Sequence, residues 1–220
     1  MKSSKSIPKR VYRHMPVHRL WQVLATKRLY FMHNSKWDDP FEGFLVKRYC
    51  KTFAKDYLSL NSDKFFLCCS INQERDHQWR NYTPNKDEVV VTLNVEVLMV
   101  ANKSILIRRI KYPKRSRIGN LLKKMKSRAF PQHLILELFF IKNLAFEDEK
   151  EIRFLLQNAT TKNDIVSVKI EPEKVIKAIL FDPRMDHDTY AYHKRFIQDQ
   201  FGISKISHSS LYDPDRRFPR

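Results

Sequence analysis

Phe146–Leu156 reads FEDEKEIRFLL, and the reading of this stretch decides the fold. On a strand, alternate side chains share a face. Ile152, Phe154 and Leu156 then point one way, together with Asp148 and Lys150. Glu149, Glu151 and Arg153 point the other way, about 7 Å apart per step. The apolar set predicts a core face. The charged set is either a solvated strand face or a line of two carboxylates and a guanidinium that can do chemistry. From this segment alone the two readings are equal.

Working outward, the same period-2 test predicts strands at Val11–Met15, Arg28–Met32, Lys64–Ile71, Glu88–Leu93, Ser104–Tyr112, Glu149–Leu156, Ile165–Ile170, Val175–Phe181 and Ser204–Ser209. Helices are predicted at His18–Lys27, Phe44–Leu58, Ile118–Met125, Gln132–Lys142 and Asp186–Gln200, the last with Gly202 as its C-terminal cap. Asn94 is placed to cap a short helix through Val100. Strands and helices mix without regular alternation. That predicts an α+β fold, a single domain over residues 11–210 with a mixed or split antiparallel sheet and flanking helices. Residues 1–10 read as a basic tail and 211–220 as a C-terminal tail.

The chain has 220 residues, 42 Lys+Arg and 24 Asp+Glu, for a net charge of +18. Fifteen Phe, nine Tyr and three Trp supply a core and argue against disorder. No apolar run reaches the length of a membrane-spanning helix, and the basic N-terminus lacks an apolar signal core. A cytoplasmic protein without a membrane partner is expected. Cys50, Cys68 and Cys69 have neither metal nor disulfide spacing and read as reduced thiols. Three glycines exclude a dinucleotide-binding fingerprint and a Walker A loop, so any phosphate must be held by side chains. There is no Gly-x-Ser-x-Gly elbow, and no histidine pair stands at metal-binding spacing, so no metal site is expected.

The charge is concentrated. Residues 1–37 hold nine Lys/Arg and residues 103–128 hold eleven, with no acid in either block. Blocks of one sign point to a polyanion, and nucleic acid is the expected partner. In the second block the candidate contacts are Arg108, Arg109, Lys111, Lys114, Arg115, Arg117, Lys123, Lys124, Lys126 and Arg128.

Two further motifs stand out. Trp37–Gly43 reads WDDPFEG, a turn on its own showing. His77–Tyr82 reads HQWRNY, which places Trp79 and Tyr82 on one side of a helical turn, either for the core or to stack a flat ring. With Tyr12-Arg13, Asp38-Asp39-Pro40-Phe41-Glu42, Cys68-Cys69-Ser70, and Lys142 followed by Phe146 and Glu149-x-Glu151-x-Arg153, the chain resembles a bacterial family called domain of unknown function 2971. The resemblance spans about residues 11–210. Asp38 replaces the family's usual Asn.

A looser similarity is to ADP-ribosyltransferases, split α+β folds with an Arg on the first strand, a Ser ending a middle strand and Glu-x-Glu opening a late one. Arg13, Ser70 and Glu149-x-Glu151 occur in that order. The resemblance implies NAD as the cofactor, with Arg13 on its diphosphate, Ser70 at the ribose, Trp79 or Tyr82 stacking nicotinamide and Arg153 as a further cofactor-binding residue. Glu151 is implied as the catalytic carboxylate and Glu149 as the residue orienting the acceptor. A carboxylate at the ribose stabilises oxocarbenium charge.

The resulting expectation is a defence-type effector or toxin, ADP-ribosyltransferase-like, acting on a nucleic-acid or nucleic-acid-associated target. The rivals are a non-catalytic basic nucleic-acid-binding or partner subunit, and a metal-dependent nuclease using Asp38 or Asp39 with Asp148-x-Lys150.

Overall fold

The computed structural model describes residues 6–37, 39–53, 63–82, 85–126, 135–157, 159 and 163–213. At positions 53, 81, 82, 101, 125 and 126 it describes the backbone alone. Along the chain come β1 (Arg10–Pro16), α1 (Val17–Thr26), β2 (Arg28–His33), α2 (Pro40–Phe53), β3 (Phe65–Ser70), α3 (Asp76–Tyr82) and β4 (Glu88–Asn94). Then follow α4 (Val95–Ala101), β5 (Ile105–Arg109), α5 (Arg115–Lys126), α6 (Ile135–Leu138) and β6 (Glu151–Leu156). The chain continues through β7 (Ile165–Lys169), α7 (Pro172–Val175), β8 (Ile176–Phe181), α8 (His187–Phe201) and β9 (Ile206–His208). The fold is α+β. The pairs β1–β3, β1–β4, β2–β3, β4–β8 and β5–β6 are antiparallel, and β8–β9 is parallel.

Local chemistry sets the element ends. Asn94 Oδ1 accepts from the Val97 N–H at 3.3 Å and starts α4. Asp186 Oδ2 accepts from the Thr189 N–H at 3.0 Å and starts α8. Gly202, at φ 64°, ends α8 in the left-handed conformation that glycine adopts without strain.

The described residues fall into two compact units. The first comprises residues 1–29, 69–103 and 167–220. Here the strand order is β1-β4-β8-β9, and Ser70 pairs with Tyr12. Register rows run Tyr12–Thr92–Ala178 and Arg13–Val91–Ile179 across the sheet. Directly opposed residues share a face. One face, with Val91, Ile179 and Phe181, is covered by α1 and α8; Phe181 stacks on His193, and Trp21 packs edge-on against Phe196. The other face carries His14, Val90 and Leu180, covered by Trp79 of α3.

The second unit comprises residues 30–68 and 104–166. In it β6 lies between β5 and β3, and β2 pairs with β3. Phe66, Phe139, Phe140 and Leu155 are buried together with Leu45 and Tyr49 of α2. β6 is therefore buried on both faces, from Glu151 to Leu156.

Several elements differ from the sequence expectation. The strand expected from Glu149 begins at Glu151. Leu144–Glu149 instead forms 3-10 turns, started by Asn143 Oδ1 accepting from the Ala145 N–H at 3.1 Å and ended by Lys150 at φ 44°. Period-2 alternation says nothing about where a strand starts, and a capping Asn ahead of polar residues favours the turn. Glu149 and Asp148 consequently do not stand on strand faces. The helix expected from Phe44 starts at Pro40: proline suits a first turn, and Asp39 Oδ1 accepts from the Phe41 N–H at 2.9 Å. Asp-Asp-Pro is therefore helix-initiating. Of the helix expected at 132–142, Ile135–Leu138 is helical, and 132–134 lie outside the described residues. Arg10, placed in the N-terminal tail, opens β1.

Candidate functional site

In the second unit, charged side chains from α2, β6 and the segment between α6 and β6 meet around Arg153. Arg153 is 1% exposed, Glu42 5% and Glu151 6%. The guanidinium uses its whole fork. Nε donates to Glu151 Oε1 at 2.6 Å, Nη2 to Glu42 Oε2 at 2.6 Å and to Glu151 Oε2 at 3.1 Å, and Nη1 to the Phe139 carbonyl at 2.9 Å. Its Cζ lies 4.1 Å from the Trp37 ring centroid. A planar, weakly hydrated cation suits this burial where an ammonium would not.

Lys142 is the second cation. Its Nζ lies 2.7 Å from Glu149, 3.2 Å from Glu42 and 3.4 Å from Glu151, and 4.8 Å from the Phe146 ring centroid. The Glu151 N–H donates to Tyr112 Oη at 2.8 Å, and burial pushes that phenol upward. Glu149 is the most open carboxylate of the group, with its side chain 20% exposed.

These surroundings separate the carboxylates. Burial opposes ionisation of Glu151, but Arg153 and Lys142 outweigh it and hold the group down to about 2. Burial pushes Glu149 up from 4.5, with Lys142 opposing. Burial also pushes Glu42 up, against Arg153. Lys142 is driven upward in spite of its burial, by Glu151, Glu149 and Glu42. Three carboxylates thus share two cations.

The structure thus brings Glu149, Glu151 and Arg153 together. It adds Glu42, Lys142, Trp37 and Tyr112, which parity in the single strand could not reveal. The signal was present in WDDPFEG and in Lys142, whose spacing had no visible partner.

The remaining cofactor candidates lie in the first unit. Ser70 is buried, and its Oγ accepts from the Asn72 N–H at 3.1 Å. It shares the face of Tyr12, while Arg13 projects to the opposite face with Val91. The register does not place Arg13 and Ser70 on one side of the sheet. Trp79 is 0% exposed; its Nε1 donates to Glu74 Oε2 at 3.1 Å, and Ser209 Oγ donates to the same oxygen at 2.6 Å. It serves the core beside the buried His14–Glu88 contact of 3.0 Å. The Tyr82 and Lys126 side chains and Arg128 lie outside the described residues.

The basic block divides in two. Arg108 and Lys111 pair with Glu137, the latter at 2.6 Å, and Arg109 is half-buried. Lys114, Arg115, Arg117, Lys123 and Lys124 are exposed on or just before α5, whose Ile118, Leu121 and Leu122 pack on the core. That is an amphipathic helix with a cationic outer face.

Among the described residues no group of three or more His, Cys, Asp or Glu side chains could hold a metal ion. No described helix is long and apolar enough to cross a membrane.

Residues 78–154 match the family model described as "Protein of unknown function (DUF2971)". The match runs from α3 through most of β6 and takes in Lys142, Glu149, Glu151 and Arg153. No curated protein matches the chain. Solved structures similar to it include two of one protein. One is Thermus sp. 2.9 DarT in complex with NAD+, at 9% identity and a TM-score of 0.44, covering 92% of this chain and 96% of that one. The other is Thermus sp. 2.9 DarT in complex with ADP-ribosylated ssDNA, at 11% identity and a TM-score of 0.44, covering 95% and 98%.

Proposed function

We propose that this chain is an effector-type ADP-ribosyltransferase that takes NAD as substrate and modifies nucleic acid. The observation that carries the reading is the contrast between two neighbouring carboxylates: Glu151 is buried with both oxygens held by Arg153, and Glu149 is partly open and held by Lys142. Such a divided pair is the usual mark of two distinct acid–base roles.

Glu151, locked as an anion by Arg153, stabilises positive charge that builds on the ribose as the C1′–N bond to nicotinamide breaks. Nicotinamide leaves with the bonding pair as a neutral molecule. The acceptor atom of the nucleic acid then bonds to C1′, and its proton passes to Glu149, whose raised basicity and partial exposure suit that step. Lys142 bridges the two carboxylates, offsets their mutual repulsion and takes no part in bond making. Phe146, 37% exposed beside Lys142, offers an apolar face for a flat ring. The exposed cations of α5 supply the attraction for a phosphate backbone.

The test is release of nicotinamide from NAD with single-stranded DNA, single-stranded RNA or no acceptor, read by chromatography and by mass spectrometry of the acceptor. A mass gain of one ADP-ribose on nucleic acid, lost in Glu149→Gln, supports the reading. Nucleic acid that is bound but never modified, with NAD intact, overturns it and leaves a binding protein.

A further inference from the structure

We propose a second ligand site in the first unit, on the sheet face formed by β1, β4 and β8, that takes the phosphate end of a nucleotide. A cavity of about 390 Å³ opens there, lined among others by Arg10, Tyr12, Thr92, Glu173, Lys177 and Lys205. That volume falls in the range of small-ligand sites, roughly 300–1,000 Å³.

The floor is a register row, Tyr12–Thr92–Ala178, and so is fixed by sheet hydrogen bonding. It offers one phenol ring and one hydroxyl. The rim is cationic. Arg10, Lys177 and Lys205 are all exposed, and among the described residues none of them forms an ion pair. Against them stands one carboxylate, Glu173.

Three converging cations without internal partners in a concave site favour an oxyanion, and an Arg fork among them suits phosphate. The rest of the lining selects the class of phosphate. A bare inorganic ion would use the rim and leave the floor empty. A nucleoside attached to it would lay its base or sugar over Tyr12 and Thr92, with Glu173 as an acceptor for a hydroxyl or amino group. Every lining residue belongs to the first unit, whereas Glu42, Lys142, Glu149, Glu151 and Arg153 belong to the second. The proposal therefore stands independently of ADP-ribose transfer.

Calorimetry with each of the four ribonucleoside monophosphates, the matching nucleosides and inorganic phosphate tests it. At least one monophosphate should bind with one-site stoichiometry and clearly more tightly than its nucleoside and than phosphate. Lys177→Glu with Lys205→Glu should weaken that binding by about tenfold or more. Ala178→Trp, which fills the floor and leaves the cations in place, should weaken it as well. Circular dichroism and thermal melting confirm that each variant is folded, and Lys205→Glu alone serves if the double variant is not. Free nucleotide and a nucleic-acid end are told apart with a single-stranded oligonucleotide carrying or lacking a 5′-phosphate. Competition by only the phosphorylated oligonucleotide assigns the site to strand ends; competition by neither assigns it to free nucleotides. Binding equal for nucleotide and nucleoside, or unchanged in both folded variants, overturns the proposal.

Discussion

Glu42 and Arg153 are 111 residues apart in the chain, and their side chains meet at 2.6 Å in a position sealed from water. The contact ties the first turns of α2 to the middle of β6. It also explains why a loop-like WDDPFEG and a late E-x-E-x-R stand in one sequence: each supplies half of one charge cluster.

Removing Arg153 should be costly. Arg153→Met keeps the length and loses the fork, leaving Glu42 and Glu151 as neighbouring buried anions. Breaking a buried pair on one side costs about 3–5 kcal/mol. Urea denaturation monitored by circular dichroism should show a loss of that size; a change below about 1 kcal/mol would mean the cluster is wet and weak.

The acid limb of stability should depend on Glu151. Its folded-state value of about 2 lies below the ordinary 4.5, so its contribution is complete above about pH 4.5 and is lost as pH falls toward 2. Glu42 and Glu149, shifted upward, act with the opposite sign: their protonation favours the folded state as pH falls. In Glu151→Gln the loss of stability between about pH 4.5 and about pH 2 should therefore flatten. Denaturation midpoints across that range measure it, and an unchanged slope would falsify the assignment.

Glu149→Gln separates chemistry from folding better than Glu151→Gln does. Glu149 lies at the edge of the cluster, and its burial as an anion works against the fold. The variant should melt at or above the wild-type temperature while NAD-dependent modification of nucleic acid falls by about 10²-fold or more. Full activity in the variant would remove Glu149 from the mechanism.

Nucleic-acid binding should weaken with salt, and the cations should not contribute equally. Alanine at Lys114, Arg115, Arg117 or Lys123 should each lower the log–log salt slope for single strands by about 0.7. Arg108 and Lys111 are engaged by Glu137 and should change it less. Fluorescence anisotropy over a salt series gives the slopes; equal effects at all six positions would contradict the division.

Trp79 should behave as a core residue. Trp79→Ala removes a fully buried ring and leaves Glu74 with Ser209 as its remaining partner, at a cost of about 3–5 kcal/mol. Calorimetric unfolding measures it, and a near-neutral variant would restore the stacking role.

Much of the architecture was legible because it is periodic or capped. Val89, Val91, Ile179 and Phe181 alternate, so β4 and β8 could be drawn from the sequence. Asn94, Asp186 and Gly202 marked helix ends because their side chains, or the lack of one, satisfy orphan backbone groups locally. The parity of Glu151 and Arg153 against Ile152 and Phe154 also followed from period 2 alone. Segments where local signals compete were read less well, as where Asn143 turns the chain through Glu149 before β6 can start.

The sequence by itself determined the α+β class, the concentration of positive charge and the pairing of Glu151 with Arg153 on one side of a strand. Each depends on residues within a few positions of one another or on composition. Only the tertiary structure decided that Glu42 and Lys142 complete that pair, that Trp79 is enclosed, and that Arg13 and Ser70 face opposite sides of the sheet. Those facts depend on which strands pair and in what register. A one-residue change of register moves every side chain to the other face, and no local pattern encodes the partner's register.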